Sequence, residues 1–405
     1  MKNIVFVIIT FAFSKSGFSQ TQGILSDPLL LKKAGIEILA QAKNVEVAFA
    51  RADQSEIEKL SHLAHDSGRC AGFQVLDAQE SQSLEKVELV LNRLNDQFML
   101  EKIYEVKFAS RPLEIESHTE ILNALDKVNP ESLKEWVKWF SDFKTRFHKG
   151  ENPNFFVSQL KTRIENLLKQ TQLRFEITEI SHQKTPQNSL RVRILGNSNP
   201  DEIVVLGGHM DSILGWGSNG PAPGADDNAS GSSNLLEALR IIAEGDIQPQ
   251  RTLDFFWYAG EEGGLLGSSE IARAYRKENA NVIGALQLDM TLFPGSGFNS
   301  ISSIEDFTHA GARKYIEKLN EVYVKAKIIP GDRCGYACSD HASWSSQGFP
   351  AVFPFEALSK DMNKSIHTKN DVIFSTSDFV HSSIFTKLAL AFAIDLSNSN
   401  LNFEN

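Results

Sequence analysis

The chain has 405 residues, 41% of them hydrophobic, with 51 acidic against 41 basic side chains and a formal charge of −10. That apolar supply excludes intrinsic disorder for the bulk of the chain and suffices for one large core or two smaller ones. The acidic balance excludes a general nucleic-acid binder, and three cysteines exclude a disulfide-built scaffold while leaving one thiol over from any pair.

In chain order, residues 1–19 come first. Lys2, the apolar run 4–13 and the small residues Gly17 and Ser19 predict a secretory signal peptide cut after Ser19. A run of ten residues is about half of what a spanning helix needs, and no later stretch reads as apolar enough to span. The protein is therefore expected to be exported, to the cell exterior or the periplasm, and to be held in no membrane once the signal is gone. Residues 20–115 alternate short apolar runs (45–50, 72–76) with helical patterns (57–64, 84–95), which predicts a small α+β module. His62, His65 and Cys70 within it make an incomplete zinc set and read as solvated helix-face residues and the spare thiol.

From 116 onward the chain reads as one further domain, 116–405. Residues 116–175 are helical, with apolar positions recurring every three or four residues over 133–147 and 156–170. Strand patterns follow at 174–180 and 189–194, then near-continuous apolar runs at 203–206, 253–258, 283–288 and 351–355, separated by helical stretches such as 232–243 and 311–325. Apolar strands alternating with helices predict an α/β domain with a mixed, largely parallel central sheet flanked by helices.

The ionisable residues fall where these buried runs end. Residues 203–206 lead into Gly207-Gly208-His209-Met210-Asp211, 253–258 into Ala259-Gly260-Glu261-Glu262, and 283–288 into Asp289. The crevice of an open α/β sheet lies at the carboxyl ends of its strands, so His, Glu and Asp are delivered to one edge. Asp226 and Asp227 sit in a Gly-bounded loop opening the next helix, where a capping role would need only one of them. His209, Asp227, Glu262 and Asp289, with a later histidine, supply five nitrogen and oxygen ligands. That set suits two zinc ions sharing one carboxylate, with Asp211 orienting the His209 imidazole and the remaining glutamate free as general base. His341 and His367 both qualify as the later histidine. The run Gly263-Gly264-Leu265-Leu266-Gly267 lacks the lysine and spacing of a phosphate loop and is expected to let the following helix pack close to the sheet.

The runs GHMDS (208–212), PGADDNASG (223–231), EEG (261–263), QLDMT (287–291), CGYACSDHASW (334–344) and IHT (366–368), in this order, resemble the M28 family of zinc aminopeptidases, in particular its secreted bacterial leucyl aminopeptidases of the Vibrio (Aeromonas) type. The resemblance spans about residues 120–395. It implies Asp227 as the bridging ligand of two zinc ions, His209 and Asp289 on one, Glu262 and His367 on the other, and Glu261 as the general base toward a water activated between them. His341, with Asp340, is then either structural or a support behind the ligands. It also implies a cis peptide between Asp227 and Asn228, and a Cys334–Cys338 disulfide, plausible in an exported chain, closing a loop around Tyr336 near the reaction centre. Met290, Phe355 and Ile366 complete the apolar pocket for the first side chain of the substrate. The chain departs from the family pattern at Leu358-Ser359, where a second aromatic is expected after Pro-Phe-Glu.

Residues 20–115 resemble the family's propeptide through LSHLAH (60–65) and RCAGF (69–73). The module is thus expected to act as an intramolecular inhibitor and folding aid of a monomeric enzyme acting on peptides with free N-termini. Competing readings are other activities of the same fold, a carboxypeptidase or a glutaminyl cyclase relative, and a non-catalytic binding ectodomain.

Overall fold

The computed structural model describes residues 21–403 except 67–71, 111–112, 216 and 218. The signal peptide read at 1–19, Cys70 and the side chain of His65 lie outside the described residues.

The N-terminal module runs β1 (Gln22–Ser26), α1 (Pro28–Ala34), β2 (Ile38–Gln41), β3 (Ala48–Ala52), α2 (Gln54–Asp66), β4 (Phe73–Val75) and α3 (Leu84–Ser110). Local chemistry sets α1 tightly. The Asp27 carboxylate accepts from the N–H groups of Leu29 and Leu30, Pro28 opens the first turn, and Gly35 closes the helix at φ +76°. The strands form an antiparallel sheet in the order β2-β3-β1-β4, and α3 extends the predicted helix over 84–95 by four turns.

The second domain begins with α4 (Thr119–Leu125), α5 (Pro130–Ser141) and α6 (Pro153–Leu167). The predicted helix over 133–147 stops at Ser141, because the chain turns inward to bury Arg146, Phe147 and His148 in an irregular segment. Then come β5 (Phe175–Ile180), β6 (Ser189–Ile194), β7 (Asn199–His209), α7 (Gly231–Glu244), β8 (Arg251–Tyr258), α8 (Leu266–Lys277), β9 (Asn281–Gln287), β10 (Ser300–Ile304), α9 (Ala310–Leu319), β11 (Lys327–Asp332), α10 (His341–Ser346), β12 (Ala351–Val352), β13 (Pro354–Phe355) and α11 (Phe379–Asn398). The predicted helix over 311–325 is α9 continued by a π turn over Asn320–Val324, after which the Asn320 side chain takes both the N–H and the C=O of Ala326. The apolar run 351–355, read as one strand, is shared between two sheets: β12 pairs with β9 and β13 pairs with β10, with Phe353 at the switch.

The central sheet has the order β12-β9-β7-β8-β6-β5, parallel from β12 to β8 and antiparallel beyond, so the α/β mixed-sheet expectation holds. β8 is buried along its whole length. α11 has the length and hydropathy to cross a membrane, contrary to the reading that no later stretch does. It is buried inside the domain, packed on α7 and α5, which is what a core helix does.

Register brings the ligand-bearing ends together. Gly207 lies opposite Phe256 and Gln287, and His209 lies opposite Tyr258. The chain therefore leaves β7, β8 and β9 at one level, within three residues of His209, Glu261 and Asp289.

Candidate metal centre

Two trios of side chains converge at this edge and share one member. His209, Asp227 and Asp289 each offer a ligand atom to one point, and Asp227, Glu262 and His367 to another, all buried. His209 Nε2 lies 3.1 Å from Asp227 Oδ1 and 3.3 Å from Asp289 Oδ1. His367 Nε2 lies 3.1 Å from Asp227 Oδ2 and 2.9 Å from Glu262 Oε2. The two oxygens of Asp227 thus face different histidines. Ligands held about 2.0–2.1 Å from a tetrahedral ion sit about 3.3 Å from each other, so these separations fit a pair of zinc-sized cations bridged by Asp227.

The backbone around the trios is held by side chains that coordinate nothing. Asp211 lies 3.5 Å from His209 Nδ1, which leaves Nε2 facing Asp227 and Asp289, and its carboxylate also accepts the N–H groups of Glu261 and Glu262 at 3.1 and 3.3 Å. Asp371 accepts the N–H groups of Asp226 and Asp227. Asn228, across the cis peptide from Asp227, donates to Leu288 O and accepts from Met290 N–H, tying the bridging loop to the Asp289 loop. Ser339 donates to Asp289 Oδ2 at 2.6 Å. Asp226 turns away from the trios and accepts from Leu292 N–H and Asn363. Sequence reading marked only Asp211 among these supports, since Ser, Asn and a distant Asp carry no spacing signal.

Electrostatics also ask for cations. Burial raises Glu261 well above the ordinary carboxylate range; His209 opposes this, and Asp340, Glu262 and Asp289 add to it. Burial likewise pushes Glu262 to about 7 against the pull of His367. Burial pulls His209 and His367 down, but the surrounding carboxylates outweigh it and leave both raised. Six buried carboxylates (Asp211, Asp227, Glu261, Glu262, Asp289 and Asp340) crowd two imidazoles. Neither oxygen of Glu261 has a hydrogen-bond partner, so this glutamate is spent on no structural bond.

Next to the trios lies an apolar cluster of Met290, Ile304, Phe353, Phe355, Met362 and Ile366, with the disulfide-bonded Cys334 and Cys338 packed on it. Met290 and Ile366 are chain neighbours of the trio members Asp289 and His367. Tyr336 is buried inside the disulfide loop but outside this cluster. Phe353, Ile304 and Met362 were missed by sequence reading because their place depends on the strand switch at Phe353. His341 belongs to neither trio. Its Nε2 donates to Asp306 O at 3.1 Å, its ring packs on Phe353, and burial pushes its pKa down to about 3.

A shared carboxylate between two cation positions, with a glutamate left free beside them, is the equipment of a metal-dependent hydrolase, and here it stands at the strand ends of an α/β sheet. The chain belongs to peptidase family M28. That family's model, described as Peptidase family M28, matches residues 191–389. The chain is 32% identical to a probable leucine aminopeptidase of Trichophyton verrucosum over 78% of its own length and 89% of the relative's. It is 35% identical to leucine aminopeptidase 1 of Pyrenophora tritici-repentis, over 72% and 76%. Its fold is similar to the crystal structure of the Legionella pneumophila LapA aminopeptidase, with a TM-score of 0.78 and 26% identity, over 94% of this chain and 99% of that one. A match of that extent includes the N-terminal module.

Proposed function

We propose that this is an exported, two-zinc aminopeptidase that removes apolar, leucine-like residues from the N-termini of peptides. The observation that carries the reading is the pair of ligand trios sharing Asp227 beside a glutamate with no other bond to make. His209 and Asp289 would hold one ion, Glu262 and His367 the other, with Asp227 between them. Zinc, when bound, supplies Lewis acidity toward a carbonyl and lowers the pKa of water toward neutrality.

The chain's own residues account for the rest. Glu261 takes a proton from the attacking water and returns it to the leaving amine; Asp211 fixes the turn that aims it. The surplus of carboxylates attracts the free ammonium of the substrate, which restricts cleavage to the first peptide bond. The cluster of Met290, Phe355, Met362 and Ile366 against the disulfide takes an apolar first side chain.

We also read residues 20–115 as a propeptide that is docked on the catalytic domain until removed. The support is the extent of the joint. Val75 N–H donates to Gly264 O at 3.1 Å, Gln74 bonds Ser269, Arg273 pairs with Asp77, and Arg313 pairs with Glu105. A side chain at Gly264 would meet Phe73 and Val75 at under 3 Å, so the module seats directly on the turn that carries Glu262. The protein acts as a monomer on peptide substrates.

Metal analysis together with aminoacyl-p-nitroanilide hydrolysis, with and without residues 20–115, tests the reading. Two zinc ions per chain and release of leucine from leucine p-nitroanilide but not from its N-acetylated form are expected. Cleavage of the blocked substrate would overturn it.

A further inference from the structure

Arg146 is among the largest fully buried side chains of the described residues, 2% exposed. Its guanidinium is spent on four backbone carbonyls. Nε donates to Met210 O at 2.8 Å, Nη1 to Phe140 O at 2.9 Å and to Pro223 O, and Nη2 to Gly224 O at 2.9 Å. Its own backbone N–H donates to Ser212 Oγ at 3.1 Å, and that hydroxyl in turn donates to Ala222 O at 2.7 Å. The rings of Phe140 and Phe156 flank the guanidinium at 5.7 and 5.9 Å.

Three of the four acceptors belong to two segments that carry ligands, and the fourth, Phe140 O, closes α5. Met210 lies between His209 and Asp211; Pro223 and Gly224 open the loop that carries Asp227. None of these Arg146 bonds runs to the turn of Glu262. That turn is propped by another residue of the same irregular segment: at Gly263 a side chain would lie 2.7 Å from the His148 ring.

We infer that Arg146 is a positioning residue that sets the separation between His209 and the bridging Asp227, and so the affinity of the ion held by His209, Asp227 and Asp289. The inference rests on the two-zinc reading above. A planar fork with five donors can satisfy carbonyls of three segments at once, whereas a lysine ammonium is a single point with three donors and reaches fewer of them. The buried positive charge also lies within reach of Asp371, Asp211, Asp227 and Glu262, offsetting part of their mutual repulsion while the loops are held.

The test is stepwise zinc binding to the metal-free full chain, read by competition with a fluorescent chelator, for wild type and Arg146→Lys. Asp289→Asn serves as the marker for which step belongs to the His209 side. Arg146→Lys is expected to weaken the step that Asp289→Asn weakens, by about 10–100-fold, and the other step by less than about threefold. Equal weakening of both steps, or no change in either, would overturn the inference. Should Arg146→Lys fail to fold, Ser212→Ala loosens the same brace more gently. It is expected to weaken the same step by a few-fold, and unchanged binding there counts against the inference. A wild-type chain that binds fewer than two zinc ions would instead refute the two-zinc reading itself.

Discussion

Asp211 and Glu261 are joined by a hydrogen bond from the Glu261 backbone N–H to the Asp211 carboxylate, at 3.1 Å, so the residue that orients His209 also aims the proposed base. Replacement Asp211→Asn turns one acceptor into a donor facing an N–H group. Leaving buried partners unsatisfied costs about 1–3 kcal/mol, and an indirect support of this kind is worth about 10–100-fold in metal affinity or activity. Lowered kcat with a thermal midpoint reduced by a few degrees is the expected outcome; unchanged kinetics would show the turn to be self-supporting.

Glu261→Ala removes the proton carrier without removing a member of either trio. Turnover is expected to fall by about 10²–10⁴-fold while bound zinc, measured by atomic emission, stays at two ions. Loss of metal in this variant would exchange the roles of Glu261 and Glu262.

Met362 sits 6% exposed in the apolar cluster beside the disulfide. Met362→Ala enlarges that space, and pocket changes of this size shift discrimination by about 1–3 kcal/mol. A fall in kcat/KM for leucine p-nitroanilide of about tenfold or more, with phenylalanine p-nitroanilide less affected, is predicted from a substrate panel.

Docking of the module is expected to weaken as the medium turns alkaline. Glu101 of α3 accepts the Ala310 N–H at 2.6 Å, and burial in that joint raises its pKa to about 7, with the Ala310 bond and Arg313 pulling the other way. The released module exposes Glu101, whose pKa returns to about 4.3. The docked form therefore binds more protons between these values, and its advantage is complete at low pH and lost as pH rises through about 7. His309 beside it is held at about 4 by burial in the same joint; on release its pKa returns toward about 6.5, which favours undocking at low pH and subtracts from the Glu101 effect without reversing it at the alkaline end of the window. After a single cut in the connector between α3 and α4, gel filtration should show more free module at pH 8 than at pH 5.5. Glu101→Gln should flatten that difference.

Most of the catalytic edge was readable in advance because its signals are local. A buried strand announces itself as an apolar run, and a ligand placed just after it needs no knowledge of distant parts. His209, Glu261, Glu262 and Asp289 were found in that way. The choice between His341 and His367 was not local: both follow apolar segments, and only the fold turns one toward Asp227 and packs the other on Phe353. Arg146 was hidden more deeply. It stands in a stretch with helical periodicity, and nothing in the periodicity tells that the helix ends at Ser141 so that a cation can be folded inward. The halving of 351–355 between two sheets was equally invisible, since a continuous apolar run does not say which neighbour each residue will pair with.

Leu266 stands in the catalytic domain at the start of α8, yet it completes the hydrophobic cluster formed by Ile24, Leu31, Phe73 and Val75 of the module. The two parts of the gene product therefore cannot drift independently at this point. A module transplanted from a relative would have to bring its own complement for Leu266, and a mature enzyme stripped of its module would carry an oily knob at the rim of its active-site turn, available to the next apolar surface it meets.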